Sequence, residues 1–292
     1  MLNQSLITVV IPTYQRPKRL KRAVCSVLNQ TSGNFKVCIY DNNSQDDTES
    51  VAKALMVFDS RVEYVRHAEN IGPMQNHIVG IQAVSTPYFV VLCDDDYFLP
   101  DFFEDALNYL ESNSDVSFYA GKTIVVEEAE NKADKPIMTN PKGFEQRVYN
   151  APEGFYALLD CHIAWHAIIF RSSLIADFAA VNPATNTLLE WDFEFLLAKK
   201  HNYYYADKES FVFVDHAEEY FSKNIKVYKR YLDLLNLIVS HLCHRDMTRA
   251  MQQRFGRWAR VNFVRTLKRS RRTFSNGHEF FEQAFCDAYR II

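Results

Sequence analysis

The stretch YFVVLCDDD, Tyr88–Asp96, is an uninterrupted apolar run that ends on three adjacent carboxylates. A short run rich in β-branched and aromatic residues reads as a strand buried on both faces. Outward from it the same signature recurs at Ile7–Ile11, Lys36–Tyr40, Val62–Arg66 and Val116–Tyr119. Between these runs apolar residues repeat at helical spacing: Leu20, Val24, Val27 and Leu28, then Val51, Leu55 and Phe58, then Phe103, Ala106, Leu107 and Leu110. The alternation predicts an α/β fold, a Rossmann-like open sheet, mostly parallel and flanked by helices. Such sheets bind ligands at the carboxyl ends of their strands, so chemistry is sought just after each run.

The 292 residues suffice for one large domain or a smaller one with an appendage. Apolar residues make up 48% and charged residues 24%, which excludes disorder and low complexity. No apolar run approaches the ~18 residues of a membrane span, and no signal-peptide pattern opens the chain. The reading is a cytoplasmic protein, touching a membrane surface at most. The six cysteines show no metal-ligand or redox spacing and read as reduced core residues. A net charge of −3 hides an asymmetry: residues 1–220 carry 18 Lys and Arg against 31 Asp and Glu, and residues 221–292 carry 15 against 5. This divides the chain into an acidic region, 1–220, and a basic helical extension, 221–292.

The post-strand positions read Pro12-Thr13-Tyr14-Gln15-Arg16, Asp41-Asn42-Asn43-Ser44, Asn70-Ile71-Gly72 and Asp94-Asp95-Asp96. Any one of these loops is explained by helix capping, whereas four converging on one sheet edge point to a site. Three neighbouring aspartates repel one another unless solvated or neutralised, and a hard divalent cation, Mg²⁺ or Mn²⁺, needs only one or two of them. The competing reading is an acidic cap on the following helix. A metal implies a phosphate-bearing partner. No G-x-G-x-x-G follows the first strand and no P-loop occurs, which disfavours a dinucleotide or P-loop site.

These residues resemble family 2 glycosyltransferases of the GT-A fold. The likeness rests on Val9–Arg16, on Tyr40–Ser44 followed by Asp46-Asp47-Thr48, on Glu69–Pro73 with Asn76, and on Leu92–Asp96 with Pro100. It covers roughly residues 5–220, with a nucleotide-sugar half to about 120 and an acceptor half beyond. The resemblance implies that Pro12, Thr13, Tyr14, Arg16, Asn43, Asn70, Gly72, Asn76, Asp94 and Asp95 surround a nucleotide and that Asp41 meets its base, usually uracil. It implies Asp96 as the first metal ligand, with Asp94 on ribose or metal. One departure is Cys93, where the common pattern carries an acid.

Further on, Glu190-Trp191-Asp192 is similar to the segment that supplies the catalytic base of inverting members, Asp192 being the better match and Glu190 the reserve. His216 resembles a histidine that in some relatives approaches the metal or the diphosphate. His162 and His166 flank Trp165 near the expected acceptor side, where Trp165 is either a sugar platform or a core residue.

In the C-terminal region Met251, Phe255, Trp258 and Ala259 share one helix face, and Arg254, Arg257, Arg265, Lys268 and Arg272 recur away from it. This suits either an anionic membrane surface, at the inner face of the cytoplasmic membrane, or packing on the acidic region. No nucleic-acid motif accompanies it, so no nucleic-acid partner is expected, while a homodimer through the apolar face stays open. The expectation is a metal-dependent inverting hexosyl- or N-acetylhexosaminyl-transferase that moves sugar from a nucleotide donor, a UDP-sugar foremost, to a glycan or lipid-linked glycan in surface polysaccharide synthesis. The alternatives are a nucleotidyltransferase and an inactive scaffold of the same fold.

Overall fold

The computed structural model describes residues 5–128, 135–140, 143–216, 225–242 and 244–273. Its strands are β1 (Ile7–Thr13), β2 (Phe35–Asp41), β3 (Val62–Arg66), β4 (Tyr88–Val91), β5 (Tyr97–Phe98), β6 (Val116–Glu127), β7 (Lys135–Asn140), β8 (Arg147–Tyr149), β9 (Ile168–Arg171) and β10 (Asn202–Asp215). Its helices are α1 (Pro17–Leu28), α2 (Thr48–Phe58), α3 (Pro73–Gln82), α4 (Phe102–Ser112), α5 (Glu153–Asp160), α6 (Ile175–Phe178), α7 (Leu189–Ala198), α8 (Ile225–Leu242) and α9 (Arg249–Thr273).

One sheet runs β3-β2-β1-β4-β9-β6-β10-β5, with β7 added to β6 and β8 to β10. Its first four strands are parallel, and β9 enters antiparallel between β4 and β6. The chain leaves β1 toward β2 and β3 and returns to place β4 on the other side of β1. The crevice at such a reversal of strand order is where an open α/β sheet holds its ligand.

Alternation along the strands splits the core between the two sheet faces. Val9 and Ile11 join α1 and α4, which bury Leu20, Val24, Phe103 and Leu110. Val10, Phe89, Phe118 and Tyr203 face the other way, against α5 and α7. On that face a Cβ on Gly80 would lie 2.4 Å from Val10 Cγ1, so only glycine lets α3 sit this close to β1.

Leu234, Leu237 and Ile238 of α8 and Met251, Phe255 and Ala259 of α9 belong to this second core. The described apolar residues of the basic helix thus pack inside the protein, the second of the two expectations for this region. No helix among the described residues is long and apolar enough to cross a membrane. The side chains of Lys268 and Arg272 lie outside the described set.

From the sequence, the charged and aperiodic segment 124–150 reads as an excursion and Trp165–Phe170 as another buried strand; the structure changes both expectations. The segment 124–150, read as an excursion, supplies the end of β6 and the antiparallel strands β7 and β8; Glu130, Lys132 and Asp134 within it lie outside the described residues. Trp165–Phe170, read as one strand, begins as a turn of 3₁₀ helix, Trp165–Ala167, before β9.

Candidate functional site

At the β1/β4 crevice the post-strand residues meet. Thr13 donates its hydroxyl to Asp94 Oδ2 at 2.6 Å, and Arg16 Nη1 lies 2.7 Å from Asp95 Oδ2 and 3.2 Å from Asp94 Oδ1. The loop that carries Arg16 turns through a left-handed Gln15 (φ 54°), whose N–H donates to Ser44 Oγ. That conformation is costly for a residue with a Cβ and here fixes the loop against its neighbour after β2. Arg22 Nη2 donates to the Asp95 carbonyl, and the Val214 N–H donates to Asp96 Oδ1 at 2.8 Å. Burial raises Asp94 to about 6 against the pull of Thr13 and Arg16. Burial and the adjacent Asp95 push Asp96 well above the usual carboxylate range. The aspartates are thus crowded, buried carboxyls with Arg16 and Arg22 beside them, an arrangement that a cation would relieve.

His216 completes this wall. Glu128 Oε2 lies 2.6 Å from His216 Nδ1, and the buried His216 Nε2 lies 3.8 Å from Asp95 Oδ2 with no hydrogen-bond partner among the described residues. A carboxylate on one ring nitrogen fixes the tautomer and leaves the other nitrogen's lone pair aimed outward, as in metal-ligating histidines. The orphaned nitrogen beside Asp95 is a donor of the kind a divalent cation takes, and the adjacent run of carboxylates supplies the charge. Burial raises Glu128, but His216 and Arg19 prevail and hold it below its ordinary value. Neither Glu128 nor Arg22 was singled out from the sequence; Glu128 is 88 residues from His216, in the segment read as an excursion.

A cleft of about 170 Å³ opens beside the aspartates, lined by Cys93, Asp95, Asp96, His162, His166 and Glu190, among others. Cys93 Sγ is 3.3 Å from His166 Nε2, and His166 Nδ1 meets the Val91 carbonyl at 3.0 Å. Cys93, Asp96 and His166 bring ligand atoms within 4.8 Å of one another, a juxtaposition invisible in the spacing of the cysteines. Burial, with the three aspartates, keeps the Cys93 thiol protonated, and burial lowers His166 to about 3. Trp165 is 3% exposed and donates its N–H to His166, so it is a core residue and not a sugar platform.

Asp192, the preferred base in the sequence reading, is not in the cleft. It is fully buried; its Oδ2 accepts from the Asn182 N–H and its Oδ1 lies 2.8 Å from His241 Nε2 of α8. Burial lowers His241 despite that carboxylate, and Lys199 beyond it is lowered to about 8 by burial. Both oxygens of Asp192 are thus engaged within the core, whereas Glu190, two residues earlier on α7, lines the cleft.

Asp41 is likewise fully buried, accepting from the Ser44 N–H at 2.9 Å and from Tyr64 OH at 2.6 Å. It organises the loop behind the cleft instead of presenting a free edge to a base. Asn76 holds the Tyr40 carbonyl and His67, and Asn70 Oδ1 accepts from Asn42 and from the Gly72 N–H. These three residues brace the loops after β2 and β3. Tyr14 is 42% exposed and Asn43 half-buried beside that loop, both open to a ligand, and Pro12 is buried at the end of β1.

Comparison with known proteins follows the same lines. The family model described as glycosyl transferase family 2 matches residues 8–175, more than half of the chain, and the chain belongs to that family. An uncharacterized glycosyltransferase of Rickettsia conorii is 36% identical over 114 residues, 39% of this chain and 18% of that protein. A GalNAc(5)-diNAcBac-PP-undecaprenol β-1,3-glucosyltransferase of Campylobacter jejuni is 33% identical over 94 residues, 32% of this chain and 30% of its own. The matched region thus spans less than a third of either relative. Among solved structures, S. aureus TarS 1–349 in complex with UDP-GlcNAc aligns with a TM-score of 0.62 at 16% identity, over 93% of this chain and 74% of that one. The mannosyltransferase PcManGT of Pyrobaculum calidifontis in complex with GDP-Man and Mn²⁺ aligns with 0.58 at 11% identity, over 99% and 81%. These likenesses show the fold.

Proposed function

We propose that the protein is a metal-dependent inverting glycosyltransferase that takes a sugar from a nucleoside diphosphate, UDP foremost, and passes it to a glycan or lipid-linked glycan of a surface polysaccharide. The observation that carries this reading is the convergence of Arg16, the three aspartates, His216 and Glu190 on one crevice at the sheet's switch point. Supporting it are the UDP-GlcNAc and GDP-Man complexes of the structural neighbours and the lipid-diphosphate glycan named for the Campylobacter relative.

Asp96, with Asp94 or Asp95 and His216, would hold Mn²⁺ or Mg²⁺, which supplies charge neutralisation to a departing diphosphate. Arg16, partly exposed at the mouth, is placed to swing from the carboxylates to the phosphates, and Thr13 keeps Asp94 oriented. Glu190 accepts the proton of the acceptor hydroxyl as that oxygen attacks the anomeric carbon from the face opposite the diphosphate. No covalent sugar intermediate is needed. Peripheral membrane contact is retained only as an electrostatic association through exposed arginines.

The test is donor turnover. With Mn²⁺ present, one or more UDP-sugars should be hydrolysed slowly, releasing UDP, and Glu190→Gln should stop release while UDP still binds. Release from no nucleotide sugar, with or without lipid-linked acceptors, would oppose the reading.

A further inference from the structure

A second and larger concavity, about 710 Å³, adjoins the catalytic cleft. It lies between the end of α5, the start of α7 and α9, and its lining includes His162, Trp191, Trp258, Arg254, Arg257 and Arg265. His162 lines both spaces, and the neighbours Glu190 and Trp191 divide between them, Glu190 on the cleft and Trp191 on the groove. The two are thus parts of one path that passes the proposed base.

The chemistry of the groove differs from that of the cleft. Trp191 and Trp258 meet edge to face at 5.7 Å, and His162 lies against Trp191 with ring centroids 5.0 Å apart. Of its three arginines, Arg254 pairs with Asp160 and lies over Tyr156. Arg257 and Arg265 are exposed and, among the described residues, form no ion pair with a carboxylate. Arginine presents a planar fork that matches phosphate oxygens, and flat indole faces pack on sugar rings. Met251, Phe255 and Ala259 of α9 pack in the core and so set the helix that carries these arginines beside the groove.

The geometry points to an acceptor subsite for a phosphate-bearing glycan: the indoles take a sugar ring and Arg257 and Arg265 take the phosphate, while the reacting hydroxyl lies past His162 at Glu190. This rests on the transferase reading and narrows its acceptor to one carrying phosphate, whether as a lipid diphosphate or as a sugar phosphate ester. The alternative occupant of an arginine face, an anionic membrane, is an outcome of the test.

The experiment follows the indole N–H resonances of the chain's three tryptophans with the nucleotide site filled by UDP and Mg²⁺. Inorganic phosphate and glucose 1-phosphate are titrated, with methyl glucoside as the neutral control. Trp191 and Trp258 should shift saturably with both phosphates while buried Trp165 stays still, and glucose 1-phosphate should bind at least tenfold more tightly than methyl glucoside. Arg257→Ala with Arg265→Ala, both solvent-facing, should weaken phosphate binding at least tenfold and leave UDP binding unchanged. Equal binding of the neutral glucoside, undiminished binding by the double variant, or no indole shift would overturn the subsite. So would pelleting with phosphatidylglycerol vesicles that depends on the two arginines when neither phosphate moves an indole. Loss of UDP binding in the same sample would instead count against the transferase reading, since the indole response does not depend on it.

Discussion

Glu190 and Asp192, two residues apart in the first turn of α7, face opposite sides of the helix: Glu190 lines the cleft with Asp95 and Asp96, and Asp192 is sealed behind it against His241. Residues at i and i+2 are about 200° apart around a helix, so only one of the pair can face the substrate. Which one does is decided by α8, whose His241 takes Asp192 into the core.

The two acids should therefore fail differently. Glu190→Gln is expected to lower transfer or donor hydrolysis by at least a hundredfold, the scale of a lost general base, with UDP affinity and melting temperature unchanged. Asp192→Asn is expected to lower the melting temperature, because it disturbs a buried hydrogen-bonded pair, and to spare turnover per folded molecule. Thermal unfolding and UDP release measured on both variants separate the outcomes, and a turnover defect confined to Asp192→Asn would return the base to that residue.

His216 and Glu128 should act as a unit. Glu128→Gln removes the charge that orients the imidazole and should weaken Mn²⁺ about 10-fold, and His216→Ala should do so by 10- to 100-fold. The check is the Mn²⁺ concentration that half-saturates the UDP-induced thermal shift. An unchanged midpoint in both variants would remove His216 from the metal site.

Glu194 gives a pH signature. It is fully buried on α7, with its carboxyl 3.0 Å from His162 Nε2, and burial holds its pKa well above the ordinary 4.5. The folded state binds this proton more tightly than the unfolded chain. The resulting contribution to stability is whole below about pH 4.5 and is lost as pH rises toward the folded value. Glu194→Gln cannot ionise, so its melting temperature should gain on that of the unaltered protein between pH 5 and pH 8. A constant difference over that range would show that Glu194 does not carry the effect.

Gly80→Ala tests the packing that sets the crevice. The new methyl would meet Val10 and Tyr40, at 2.4 and 3.1 Å, and must push α3 off β1. The expected cost is about 1–3 kcal/mol, read by denaturant unfolding. A neutral result would mean that α3 is free to shift.

The parallel half of the sheet was legible because β1, β2 and β4 are dominated by buried β-branched and aromatic residues and because α1 and α4 repeat at helical spacing. β10 was not, since Asp207-Lys208-Glu209 interrupts its alternation where the register to β6 shifts. α3 escaped notice because Asn76 and Gly80 stand on its buried face in place of large apolar residues. Within the site, Thr13, Arg16 and the three aspartates were visible as post-strand residues. The placement of Asp41 and Asp192 in the core was not, because their partners Tyr64 and His241 come from other elements.

The central claim is that the crevice binds a nucleoside diphosphate through a metal held by the aspartates. Calorimetric titration of UDP and GDP into the protein, with Mn²⁺ and with chelator, tests it most directly. The account predicts binding at least tenfold tighter with Mn²⁺ for one nucleotide, UDP foremost, and loss of that gain in Asp96→Asn, whose side chain can still accept from the Val214 N–H. Binding of neither nucleotide, or binding that is indifferent both to Mn²⁺ and to Asp96→Asn, would contradict it.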